Sequence, residues 1–242
     1  MLPKRFAIAL RKGVDVLNGA LAAEVTGGFW TGGVPDFSSL STDTREIKPG
    51  QWFLALKGER FDAHDHVEQA VHRGASAIIV AKGVQTSCPQ LLVPDTRVAL
   101  GQLAAGHRAG WSGFSAAVTG SCGKTTTKRL LAAGFRCQGV GVESLKSFNN
   151  DIGVPRTLLE LTRDHGWLAA EVGMSAPGEI APLARMVAPD AAILTMVGHA
   201  HAGAFDSLDG VREEKLELLR ALSPGGLAVL PEGLPGELPR GV

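Results

Sequence analysis

Tyrosine is absent from the 242 residues, and aromatic side chains make up only 5% of them. So few rings leave little with which to stack successive bases, which argues against a single-strand nucleic-acid platform. Charge of one sign is lacking too: 24 Lys and Arg stand against 24 Asp and Glu. That gives no broad electrostatic footprint for a polynucleotide, although a local basic pocket is compatible with neutrality. Cysteine occurs at Cys88, Cys122 and Cys137 only, without metal-ligand spacing. An odd count with no framework points to a reducing compartment. No apolar run is long enough to cross a bilayer. The N-terminal stretch Met1 to Lys12 has a short apolar centre that charges interrupt at once. It reads as an amphipathic helix rather than a secretory leader. The expected localisation is therefore cytoplasmic, with neither nucleic acid nor membrane as partner. Internal repeats and low-complexity tracts are also missing.

What the chain does have is Val118-Thr-Gly-Ser-Cys-Gly-Lys-Thr-Thr-Thr-Lys128. An apolar run, Phe114 to Val118, precedes it and reads as a buried strand; Arg129 to Phe135 follows and reads as the start of a helix. Strand, glycine loop, Lys-Thr, helix is the layout of a nucleotide phosphate site. Glycines let backbone N–H groups approach the phosphates, and the helix N-terminus adds positive potential. Gly120, Ser121, Cys122, Gly123, Lys124, Thr125 and Thr126 form the expected cofactor loop. Lys124 would reach the terminal phosphates, and Thr125 would offer a hydroxyl to magnesium. The spacing is shorter than the standard G-x-x-x-x-G-K-[ST]. The plain alternative is a Gly-rich turn with a solvated lysine, and for Cys122 a small residue filling that turn.

Composition divides the chain into residues 1–110 and 111–242. In the first part, Trp52 to Leu56, Ala77 to Val80 and Leu91 to Val93 are strand candidates, with helices over Val67 to Arg73 and Val98 to Ala109. In the second, strand and helix alternate: the 116–119 strand and its helix, then Thr157 to Leu161. The strand Trp167 to Val172, helix Glu179 to Val187, strand Ala191 to Met196, helix Leu208 to Leu222 and strand Gly226 to Leu230 follow. Such alternation predicts an α/β fold with a mostly parallel sheet, whose ligands bind at the carboxyl ends of the strands. The tail from Pro231 is rich in Pro and Gly and cannot continue a helix.

Four more segments place polar groups at such ends. Asn149 and Asn150 lie in a polar loop before Gly153, suited to a substrate carboxylate or a metal-bound water; capping of the next helix is the competing role. Glu171 is the lone charge at the end of an apolar strand, where a carboxylate is expensive to bury without a cation, and magnesium beside Thr125 would supply one. Gly198-His-Ala-His201 follows another strand, and His201 could ligate a metal or touch the γ-phosphate. Lys215, within Arg212-Glu-Glu-Lys-Leu-Glu217, reads from its neighbours as an ordinary helix-surface lysine.

Together these residues resemble the Mur ligases, ATP-dependent amide-forming enzymes of peptidoglycan precursor synthesis. The nearest type adds D-alanyl-D-alanine to UDP-N-acetylmuramoyl tripeptide. The likeness covers roughly residues 40–230. It implies a small α/β UDP-sugar-binding domain over 1–110, with Thr42, Asp43, Thr44, Arg45, Lys57, Gly58, Arg60 and Phe61 on the substrate. It implies an incomplete ATP-binding central domain over 111–242. Gly120 to Thr126 match the ATP loop, with Cys122 where asparagine is usual. Asn149 and Asn150 match the substrate loop. Glu171 and His201 match magnesium ligands. Lys215 matches a lysine that is carbamylated in the family and bridges to metal. Lys124, Asn149, His201 and Lys215 are thus the implied catalytic set. The implied partners are ATP, magnesium, UDP-N-acetylmuramoyl peptide and D-alanyl-D-alanine. Met196, His199 and Gly203 depart from the family's usual metal-side loop, and Pro231-Glu-Gly replaces its Asn-Ala-Asp. The family's amine-binding C-terminal domain has no counterpart in these residues, so a truncated ligase is expected, with a second chain as a candidate source of the missing domain. The alternatives are one half of a split ligase or a non-catalytic UDP-sugar and nucleotide-binding module.

Overall fold

The computed structural model describes residues 17–58, 61–198 and 204–234. The expected N-terminal helix, Arg60, His199 and His201 lie outside them. The chain divides into two compact units, one built on 17–110 with Leu158–Glu160, the other on Trp111–Thr157 and the described residues from Leu161 onward.

In the first unit α1 (Gly19–Thr26) leads to β1 (Phe29–Thr31), β2 (Leu40–Ser41) and β3 (Trp52–Leu54). Then come a short 3₁₀ turn, α2 (Val67–His72), β4 (Ala77–Val80), β5 (Gln90–Leu92) and α3 (Thr96–Ala109). The sheet order is β1-β5-β4-β3-β2. All neighbours are parallel except β1, which runs antiparallel along β5. Every residue of β3 and β4 is buried, which explains their unbroken apolar runs. Asp95 starts α3 by accepting the N–H groups of Arg97 and Val98 at 2.7 and 2.9 Å.

The second unit runs β6 (Phe114–Thr119), α4 (Lys124–Phe135), β7 (Gly141–Glu143), α5 (Gly153–Leu158) and β8 (Trp167–Glu171). It continues with α6 (Ile180–Val187), β9 (Ala191–Leu194), α7 (Leu208–Arg220) and β10 (Leu227–Val229). The order is β10-β9-β6-β8-β7, parallel throughout. The first-synthesised strand is therefore central, flanked by two made later. Ala116 and Ala117 face Ala169 and Ala170 on one side and Ala191 and Ala192 on the other. This row of small side chains lets helices lie close to both faces.

Three strands, β1, β2 and β7, and the helix α1 carried too few patterned residues to be read from sequence. α4 begins at Lys124, not near Arg129. Threonines are poor helix formers, but Gly123 takes the left-handed conformation at φ 83° and caps the helix. The Thr127 N–H then closes the first turn on Gly123 O at 2.9 Å.

Candidate functional site

The loop after β6 lies on the end of β9. Gly120 has φ 148°, and a Cβ there would meet Thr195 Oγ1 at 1.9 Å. Only glycine lets the backbone pass. The Ser121 N–H donates to Met196 O at 2.9 Å, and the Ser121 hydroxyl exchanges 2.9 Å bonds with the Gly198 backbone. Thr195 Oγ1 donates to Cys122 O at 2.5 Å. Held this way, the N–H groups of Cys122 through Thr126 have no acceptor among the described residues. They form a ready anion cradle at the N-terminus of α4. Lys124 Nζ closes over it, donating to Gly120 O at 2.7 Å. The Cys122 side chain is exposed rather than filling the turn. No local pattern marks Thr195 as an anchor, because its partners are more than 70 residues away.

Glu171, at the end of β8, is 1% exposed. Thr125 Oγ1 donates to its Oε2 at 2.8 Å, and Asn149 Nδ2 to its Oε1 at 2.9 Å. Its own N–H donates to Ser144 Oγ at 3.0 Å. Gly173 makes room for the amide: a Cβ there would lie 2.6 Å from Asn149 Cγ. Asn150 turns away, its Oδ1 accepting the N–H groups of Ile152 and Gly153 at the start of α5. For Asn150, then, the capping role is the one seen. A hydroxyl and a carboxylate side by side suit a hard, oxygen-seeking cation that takes its remaining ligands from phosphate and water. Among the described residues no three His, Cys, Asp or Glu side chains converge to hold a metal unaided.

Lys215 is not a surface lysine. It is 2% exposed, on the apolar stripe of α7 with Val211, Leu218 and Leu219. Its Nζ has no hydrogen-bond or ion-pair partner among the described residues. Burial, and after it the nearby Lys124 ammonium, lowers its pKa to about 8, with Glu214 offsetting part of the shift. Glu214 is itself engaged, accepting the Gly178 and Ile180 N–H groups at 2.8 Å each at the start of α6. A cavity of about 320 Å³ beside α7 is lined by Phe205, Asp206, Glu213, Glu214 and Glu217; its acidity makes it unfit for phosphates.

In the first unit the expected substrate residues gather beyond the carboxyl ends of β2 and β3. Asp43 Oδ1 accepts the Arg45 N–H at 2.8 Å, and the Arg45 guanidinium lies exposed along the same carboxylate, 2.7 Å from Oδ2. Thr44 Oγ1 donates to Gln69 Oε1 at 2.8 Å; Thr42 beside it is half-buried. Lys57 and Asp62 form an isolated antiparallel backbone bridge, and beside it the Gly58 N–H donates to Phe61 O at 2.8 Å. Exposed Phe61 stacks on His66, centroids 5.1 Å apart and planes 14° from parallel.

Fold and loop together define an α/β protein with a phosphate-loop-like glycine turn after the central strand of its second sheet. Residues 36–108 match the family described as Mur ligase family, catalytic domain, and residues 118–235 match the Mur ligase middle domain. The two matches span most of the chain, which belongs to the Mur ligase family. It is 40% identical over 225 residues to the UDP-N-acetylmuramoyl-tripeptide–D-alanyl-D-alanine ligase of Escherichia coli, covering 93% of this chain and 48% of that protein. Against the ligase of the same name from Bacillus subtilis the figures are 39% over 193 residues, 78% and 42%. The crystal structure of MurF from Acinetobacter baumannii superposes with a TM-score of 0.82 at 38% identity, covering 90% of this chain and 49% of that one. The MurF ligase from Thermotoga maritima in complex with ADP gives 0.74 at 32%, with 81% and 46% covered. The chain spans about half the length of the curated relatives it matches.

Proposed function

We propose that these residues are the substrate- and nucleotide-holding part of a cytoplasmic ATP-dependent ligase that joins D-alanyl-D-alanine to UDP-N-acetylmuramoyl tripeptide. The observation that carries this reading is the cradle of N–H groups from Cys122 to Thr126 beside the buried Thr125–Glu171–Asn149 cluster. A phosphate would sit in the first, and its counter-cation beside the second.

In the proposed reaction a tripeptide carboxylate oxygen attacks the γ-phosphorus of ATP. The bond from that phosphorus to the bridging oxygen breaks, and ADP leaves an acyl phosphate behind. The dipeptide amine then attacks the acyl carbon, inorganic phosphate departs, and the surplus amine proton goes to solvent. Lys124 must leave Gly120 O to follow the transferring phosphoryl group, where its charge and the loop N–H groups stabilise the transition state. Magnesium, when bound at Thr125 and Glu171, neutralises phosphate charge. Asn149, already seated on Glu171, orients the attacking carboxylate. A buried amine whose pKa is near 8 is neutral often enough to attack carbon dioxide. The Lys215 Nζ lone pair forms the new bond, the amine loses a proton, and the product is a carbamate anion. His201 would add to the same metal side. Thr42, Asp43, Thr44, Arg45, Lys57, Gly58, Arg60 and Phe61 would hold the uridine-diphosphate sugar. Arg45 must exchange Asp43 for a diphosphate to do so. The dipeptide is then held by polypeptide outside these residues, in the same or a second chain.

Calorimetry tests the reading. Magnesium-dependent ATP binding should be abolished in Lys124→Ala and kept in Arg45→Ala. Binding of UDP-N-acetylmuramoyl tripeptide should follow the opposite pattern. ATP binding by Lys124→Ala as tight as the parent's would return Lys124 to a surface lysine and sink the proposal.

A further inference from the structure

Lys128 has no part in the mechanism above, yet it is among the most deeply buried large side chains, at 1% exposure. Fully buried lysines are rare and need partners. This one has two, and neither is a carboxylate: its Nζ donates to the carbonyl oxygens of Ser144 and Lys146, the latter at 3.0 Å. One turn of α4 separates it from Thr125, so both side chains leave the same helix face.

The two carbonyls belong to the loop between β7 and α5. Ser144 is fixed from three sides. Its N–H donates to Ala169 O at 3.0 Å, its Oγ accepts the Glu171 N–H at 3.0 Å, and its carbonyl takes the Lys128 ammonium. Lys146 has φ 50°, a left-handed conformation that is strained for a side chain of its kind. Its carbonyl is thereby turned inward onto Lys128. Three residues on, Asn149 meets Glu171. The helix that presents Thr125 and the loop that presents Asn149 are thus joined through one ammonium group. Glu171 and Glu143 also lie close enough to favour the charged Lys128 against its burial, which is the larger effect.

We propose that Lys128 is a positioning residue: its ammonium pins the strained loop 144–149 to the phosphate-loop helix and so sets Asn149 and Thr125 on the two oxygens of Glu171. The magnesium-linked part rests on the reading under Proposed function, whereas the loop-pinning part does not. A neutral side chain of similar length, as in Lys128→Met, would fill the space without holding the carbonyls.

The experiment compares the full chain with Lys128→Met in two measurements. Hydrogen exchange read by mass spectrometry should show residues 144–149 exchanging roughly tenfold faster in the variant, with β6, β8 and the first unit unchanged. Calorimetry with ADP should show the magnesium-dependent gain in affinity reduced by about tenfold, the scale at which groups supporting a metal ligand act, with affinity in chelator unchanged. Parent-like protection of 144–149 in Lys128→Met overturns the proposal. So does accelerated exchange there with a parent-like magnesium gain, because the loop would then not serve the site. A parent chain that shows no magnesium-dependent binding defeats the functional reading instead, and the exchange result still decides whether Lys128 pins the loop. If Lys128→Met loses protection across β6 and β8 as well, the decision passes to Lys128→Gln, whose uncharged, shorter side chain keeps polarity without an ammonium to reach both carbonyls. Loss confined to 144–149 supports the proposal, and global loss or none overturns it.

Discussion

Lys215 sits where its proton is a burden. Its pKa in the folded chain is about 8, against 10.5 for a free lysine. Below pH 8 folded and unfolded chains both carry the proton, and the folded state bears the full penalty of a buried charge. Between about 8 and 10.5 the unfolded chain binds more protons than the folded one, so stability rises with pH through that window. Urea unfolding at stepped pH should show this rise in the parent and a smaller one in Lys215→Met, where buried Lys128 still contributes in the same direction. The Met variant should also be the more stable of the two at pH 7. Supplying bicarbonate should shrink the difference if the amine is carbamylated. A parent with flat stability from pH 8 to 10.5 would mean that the Lys215 ammonium finds a partner. The sequence held a sign of this burial that its charged neighbours hid: Lys215 stands four residues from both Val211 and Leu219, on the apolar stripe of the helix.

At the scale of elements, the phosphate loop, Asn149 and Glu171 lie at the carboxyl ends of parallel strands, because parallel pairing brings all those ends to one edge. That much was legible. Trp167–Ala170 is apolar throughout and Phe114–Val118 is interrupted only by the buried Ser115, as suits strands covered on both faces, and the glycine loop and Glu171 follow from where those runs stop. Loops joined across the sheet were not legible. The Ser121–Gly198 and Thr195–Cys122 bonds span 77 and 73 residues, and no local pattern encodes them. Helix starts can be tested one at a time. Asp95→Ala removes the acceptor for two N–H groups of α3 and should cost about 1 kcal/mol. Thermal unfolding would register this as a lower midpoint, with magnesium-dependent nucleotide binding untouched. A loss of nucleotide binding there would mean that α3 has a role this fold does not give it.

For the whole molecule, turnover is the discriminating measurement. The matched relatives are about twice as long: the chain covers 48% of the Escherichia coli ligase. An attacking amine gains from proximity only when held about 3–3.5 Å from the carbonyl. A polypeptide of residues 1–242 by itself, given tripeptide, ATP and magnesium, should therefore release phosphate slowly and form no amide with D-alanyl-D-alanine. Both products should be followed, since amide formed at ordinary ligase rates would show that these residues suffice.

The strand order also sets a calendar. β6 leaves the ribosome before either of its sheet neighbours exists, and Gly198, which holds Ser121 in place, is made 77 residues after it. Until β8 is made the nascent chain carries a bare apolar strand, and until Gly198 is made its glycine loop lacks the bonds that hold Ser121. Nucleotide can neither template the sheet nor rescue it then, because the loop that would hold it waits for Met196 and Gly198. Chaperones that shield exposed apolar segments have most to do in that interval. A pause in translation between β6 and β9 would lengthen the exposure, whereas one after β9 would fall on a site already closed.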